Sequence, residues 1–106
     1  MKALIAWDCD GTVDISAGPI PLALVCELCE KHVCFCIGAR TLTNFISIPW
    51  DQYPTKSVAL ARWKRTYPGL DRYIVVDDTP SQYDGGWEGW EFFSPEEFLK
   101  EVATWS

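Results

Sequence analysis

Residues 3–12 read Ala3-Leu4-Ile5-Ala6-Trp7-Asp8-Cys9-Asp10-Gly11-Thr12, an apolar run that breaks directly into two carboxylates one residue apart. Five apolar residues followed at once by acids predict the end of a buried strand able to hold a metal ion, with a plain strand-to-turn ending, in which Asp and Gly serve only as turn formers, as the alternative for the isolated motif. On extended backbone side chains alternate, so Asp8 and Asp10 lean to one side and Cys9 to the other, while Gly11 lets the chain turn beneath them. Two such anions repel unless a cation lies between them. Magnesium suits the pair, being a hard ion that accepts carboxylate oxygens and keeps positions for water and phosphate. A calcium loop of the EF-hand type is excluded, because its glycine and terminal glutamate positions are Val13 and Pro19 here.

Outward from this motif the chain alternates strands and helices. Pro19 or Pro21 opens a helix to about Lys31, with Leu22, Val25, Cys26 and Cys29 at helical spacing, and Val33 to Ile37 follows as a second strand. Two strands joined through a helix are expected to be parallel, with a right-handed crossover. Thr41 to Ile46 is read as the start of another helix, and Ile46 to Thr55 as a brief strand at most. A helix is predicted from Thr55 to Thr66, ended by Pro68-Gly69, and then the apolar run Tyr73-Ile74-Val75-Val76 again breaks straight into acids, Asp77-Asp78. Trp90 to Phe93 makes a last strand, and Ser94-Pro95-Glu96-Glu97 combines an N-cap, a proline at the first helical position and acids in the first turn. The fold class is therefore α/β, a three-layer, Rossmann-like parallel sheet of four to five strands flanked by helices. Such sheets bind ligands beyond the carboxyl ends of their strands, where both acidic pairs fall.

At 106 residues the chain, 1–106, is expected to be one domain. A formal net charge of −6 argues against nucleic-acid binding driven by phosphate neutralisation. Lys56, Arg62, Lys64, Arg65 and Arg72 cluster in one segment, read as the solvated face of a helix. No run approaches the roughly 20 apolar residues of a membrane span and no secretion signal precedes the first strand, so no membrane partner and a cytoplasmic location are expected. Of the five cysteines, Cys26, Cys29, Cys34 and Cys36 have spacings from which four thiols could converge on zinc, but small buried hydrophobes is the favoured reading. His32, ending its helix, is read as a cationic C-terminal residue. Trp50, Tyr53, Tyr83, Trp87 and Trp90 are read as cover for a small core, with a stacking surface for a base or sugar as the alternative.

An apolar strand followed by Asp-x-Asp-Gly-Thr (Asp8 to Thr12), a lysine opening the helix before the next acidic strand (Lys56), and an apolar strand ending in paired acids (Asp77-Asp78) together resemble the haloacid dehalogenase-like superfamily of phosphatases and phosphotransferases. The order and spacing resemble that family over nearly the whole chain, in its small capless type, since neither 12–19 nor 37–56 has room for a cap domain. The resemblance implies a magnesium-dependent phosphatase working through an aspartyl-phosphate. Asp8 would be the nucleophile and Asp10 the general acid and base, with Lys56 neutralising charge and Asp8, Asp10, Asp78 and Asp77 around the metal. Gly11, Thr12, Gly38, Ala39 and Lys56 would hold the phosphate of a phosphomonoester that the sequence does not name, nucleic-acid end phosphates included. One departure stands out: the family's second motif has a Ser or Thr where this chain has Gly38. Backbone N–H groups of Gly38 and Ala39, or Arg40 and Thr41, would have to substitute, and a lost donor of this kind costs about 2.7–4 kcal/mol of barrier. The alternative reading is thus a metal-binding or regulatory domain with weak or no turnover. A response-regulator receiver fits less well, because its acidic pair lies on the first strand and its phosphoacceptor on a middle one. Nothing in the chain sets its oligomeric state.

Overall fold

The computed structural model describes residues 1–37, 56–79 and 89–105. Within them run strand β1 (Ala3–Trp7), a 3₁₀ turn (Asp14–Ser16), helix α1 (Leu22–Lys31), strand β2 (Val33–Cys36), helix α2 (Lys56–Thr66), strands β3 (Arg72–Val76) and β4 (Glu91–Phe93), and helix α3 (Pro95–Val102). The strands form one sheet in the order β2-β1-β3-β4, and every neighbouring pair is parallel. The expected α/β fold with a parallel sheet between helices is present, with four strands among the described residues. The segment 41–55, with its expected helix start and brief strand, lies outside them, as do Gly38, Ala39, Arg40 and Thr41.

β1 is central and all five of its residues are buried, which explains why it shows no polar alternation. Its side chains divide by parity between two cores. Ala3, Ile5, Trp7 and Cys9 pack with Val25 and Leu28 of α1 and Phe98 of α3 on one face. Leu4 and Ala6 pack with Ala59, Leu60 and Trp63 of α2 on the other. Helices cover both faces, so the architecture has three layers. α2 buries Lys56, Ala59, Leu60 and Trp63, a spacing of three, four and seven that defines one helical stripe, while Val58 is left 42% exposed. Trp90 belongs to the second core, its ring 5.5 Å from that of Tyr73. It is core, as favoured from sequence, and not a stacking surface; Trp50, Tyr53, Tyr83 and Trp87 lie outside the described residues.

Helix ends follow their local chemistry. Pro21 precedes α1, and Asp14 Oδ1 accepts the Leu22 N–H at 3.2 Å, tying the 3₁₀ turn to the helix start. At α3 the Ser94 hydroxyl accepts from Glu97 N while Glu97 Oε1 accepts from Ser94 N, a complete capping box with Pro95 at the first position. His32 departs from expectation. Its Nδ1 accepts the Ala3 N–H at 3.1 Å, which requires an unprotonated Nδ1, and burial with nearby Lys2 and Lys31 pushes its pKa below the ordinary value. It is a neutral tie between the start of β1 and the end of α1, not a cationic cap. No helix among the described residues is long and apolar enough to cross a membrane.

The cap predicts a stability effect. Ser94→Ala removes one half of the box and should cost about 1 kcal/mol, read as a fall of about 4–8 °C in Tm, with Ser94→Thr close to wild type; an unchanged Ser94→Ala melt would show that the packing of Phe98, not the cap, holds the helix.

Candidate functional site

Strand register builds the site. Trp7 pairs with Val76, and Asp8 N donates to Val76 O at 2.9 Å, so the ladder carries Asp8 to the position beside Asp77. By parity both residues follow the α2 face, after Leu4 and Ala6 on β1 and after Tyr73 and Val75 on β3. α2 begins there with Lys56, buried at 4% exposure, whose Nζ lies 3.0 Å from Asp77 Oδ2. Asp8 and Asp77 are buried and Asp78 exposed. Carboxylate oxygens from Asp8, Asp77 and Asp78 all lie within 4.8 Å of one another, bringing together side chains almost seventy residues apart.

Among the described residues, three carboxylates stand against the one ammonium of Lys56. Two carboxylates 5 Å apart repel by about 3 kcal/mol at an effective dielectric of 20. The consequence falls on Asp8, whose pKa is pushed up to about 7, first by burial and then by the Asp77 charge, against the lowering effect of Lys56. Thr12 Oγ1 donates to Asp8 Oδ2 at 3.2 Å, fixing the carboxylate from the other side. A trio of carboxylate oxygens, one on an exposed residue, is a donor set for a hard divalent cation, and the chemistry of the residues fits such an ion.

The turns that present these acids are themselves ordered. Asp77 Oδ1 accepts the Thr79 N–H at 2.9 Å, and Thr79 Oγ1 donates to Asp78 Oδ1 at 3.0 Å. Asp77 is therefore at once a turn former and the partner of Lys56. Gly11 has φ +75°, and a Cβ there would sit 2.1 Å from Asp78 Oδ2. Glycine is required twice over, for the backbone angle and for the close approach of Asp78.

Other expected residues take different places. Asp10 lies outside the trio; it is exposed, and its Oδ1 accepts a hydrogen bond from Ser16 Oγ. Gly11 N donates to Ser16 O at 2.8 Å and Thr12 N to Cys9 O at 3.1 Å, so both amides already serve the turn, and phosphate at either would have to displace a carbonyl. Lys56 is a buried partner of a carboxylate, not part of a solvated basic face. Arg72, placed in the same basic segment, is held by Glu91 at 2.6 Å and Glu101 at 3.0 Å. The four cysteines form no metal cluster among the described residues, where the acidic trio is the group found. Cys34 and Cys29 hydrogen-bond to each other, Cys36 lies in the core, and Cys26 is half-buried on α1. Ser16 is not signalled by the sequence, whereas Thr79, directly after the paired acids, is expected as part of a turn begun by Asp77-Asp78, and its N–H donates to Asp77 Oδ1.

No protein-family model, curated protein or solved structure matches this chain.

Two outcomes follow from the charge balance. Because the folded-state pKa of Asp8 lies above its ordinary 3.8, the contribution of Asp8 to stability in chelator is fully present below about pH 4 and is lost as pH rises to about 7. Asp8→Asn should flatten that slope and, above pH 7, exceed the wild type by about 1–2 kcal/mol, measured by urea unfolding in EDTA; a parallel pH slope in the variant would contradict the assignment. Lys56→Met leaves Asp77 buried beside Asp8 without its ammonium and should cost about 3–5 kcal/mol, partly restored in Lys56→Met/Asp77→Asn.

Proposed function

We propose that this chain is a magnesium-dependent phosphomonoester hydrolase of the haloacid dehalogenase-like type, with Asp8 as its nucleophile. The observation that carries the reading is the convergence of Asp8 with Asp77 and Asp78 within 4.8 Å at the carboxyl ends of adjacent parallel strands, beside a buried lysine. Clustered acids alone are common. What favours this reading is that the acids follow two central strands, that the first motif is Asp-x-Asp-Gly-Thr, and that Lys56 enters the same cluster from the helix preceding the second strand.

In this scheme an Asp8 oxygen attacks phosphorus as the bond to the leaving oxygen breaks, giving an aspartyl-phosphate. Asp10, at the exposed rim, donates its proton to the leaving oxygen and then takes one from the water that cleaves the acyl phosphate. Lys56 and Thr12 hold the Asp77 and Asp8 carboxylates. Asp8, Asp77 and Asp78 would hold Mg²⁺, with Asp10 adjoining; when bound, the ion supplies the charge screening that lets a carboxylate approach a phosphate. The substrate is a phosphomonoester presented to an uncapped site.

The test is turnover of p-nitrophenyl phosphate by the purified protein. Magnesium-dependent release that falls at least 10³-fold in Asp8→Asn and is inhibited by EDTA supports the enzyme. Gly38, where the family has a hydroxyl, favours a second reading, a metal-binding regulatory domain. Magnesium binding by calorimetry with no release above background from p-nitrophenyl phosphate or a panel of phosphorylated metabolites and nucleic-acid ends would establish that alternative.

A further inference from the structure

The other end of the sheet carries a cavity of about 380 Å³ between α1 and the C-terminal end of α3 with the residues that follow it. Strands of this length separate it from the carboxylate trio by about 17 Å, so it is independent of the phosphatase reading. Its size falls in the range of about 300–1,000 Å³ typical of small-molecule sites. Leu24, Leu28, Val102 and Trp105 supply apolar walls, and His32 and Lys31 the polar part. His32 is oriented from behind. Its Nδ1 accepts the Ala3 N–H, which leaves the proton on Nε2, and its ring lies edge-on to Trp105 at 5.4 Å. Trp105 is anchored by donation from Nε1 to Glu101 Oε2 at 3.0 Å.

The charges near His32 are mixed. Lys2 and Lys31 both act on the imidazole, whereas Glu27, a carboxylate among the lining residues, is turned to Lys31 at 3.6 Å. An open cavity with four apolar walls, one fixed N–H donor and Lys31 beside it matches a ligand with an apolar body and a single anionic head. We propose that this cavity is a binding site for a small monocarboxylate with an aliphatic tail, its carboxylate on His32 Nε2–H near Lys31 and its tail against Leu24, Leu28, Val102 and Trp105.

The probe is octanoate, with octanol as the same tail without the charge, titrated into ¹⁵N-labelled protein and followed by the backbone, His32 and Trp105 indole resonances. Saturable shifts confined to the cavity, with octanol at least tenfold weaker, support the site. Ala103→Trp, a substitution at an exposed lining residue, should abolish the shifts while the melt stays cooperative. Absence of saturation, shifts dispersed away from the cavity, equal affinity for octanol, or full binding by Ala103→Trp would each overturn the assignment. These readouts use no turnover, so they stand or fall apart from any activity at Asp8.

Discussion

The parallel pairing of β1 with β3 is the constraint on which the rest of the structure depends. Trp7 opposite Val76 leaves Asp8 no place but beside Asp77, and a slip of one residue would turn every side chain of β1 to the opposite core. Two buried carboxylates in adjacent strands are tolerable only with positive charge at hand. Lys56 supplies part of it at 3.0 Å from Asp77, and in doing so sets where α2 must begin. The remaining deficit appears as the raised pKa of Asp8. The strand ends thus bring three carboxylates together, two of them buried, the arrangement in which shifted titration is expected.

Turn formation and site formation are not competing explanations here. Asp77 accepts the Thr79 amide as any turn aspartate does, and with its other oxygen it meets Lys56. Gly11 permits a left-handed backbone angle and also makes room for Asp78. The same residues perform both tasks because the backbone must bend sharply where the strands end, and groups on a sharp bend point outward together. Ser16 completes the first turn from its far side, so the loop after β1 is closed on itself through Asp10 and Gly11.

Much of this was legible in order of residues. Apolar runs ending in acids marked β1 and β3, the Ser94-Pro95-Glu96-Glu97 signature marked α3, and a lysine at the start of α2 was singled out although a cation is unfavourable at a helix N-terminus. What was not legible depended on long-range partners. His32 looks like a C-terminal cation in its own helix, yet the amide of Ala3, 29 positions away, holds it neutral. Asp10 shares the motif with Asp8, but the turn carries it to the rim. Four cysteines at suggestive spacings lie at different depths along α1 and β2, and spacing alone does not report depth.

By itself the sequence determined the alternation of strands and helices, the burial of β1 and the positions of the acids at strand ends, because these follow from local periodicity and from which residues tolerate a turn. Only the tertiary structure decided that β3 lies next to β1, that Asp77 and Asp78 are the acids joining Asp8, and that Lys56 answers to Asp77. Those outcomes arise from packing two cores against opposite faces of one sheet, and contacts between residues almost seventy positions apart are set by that packing, not by any local preference.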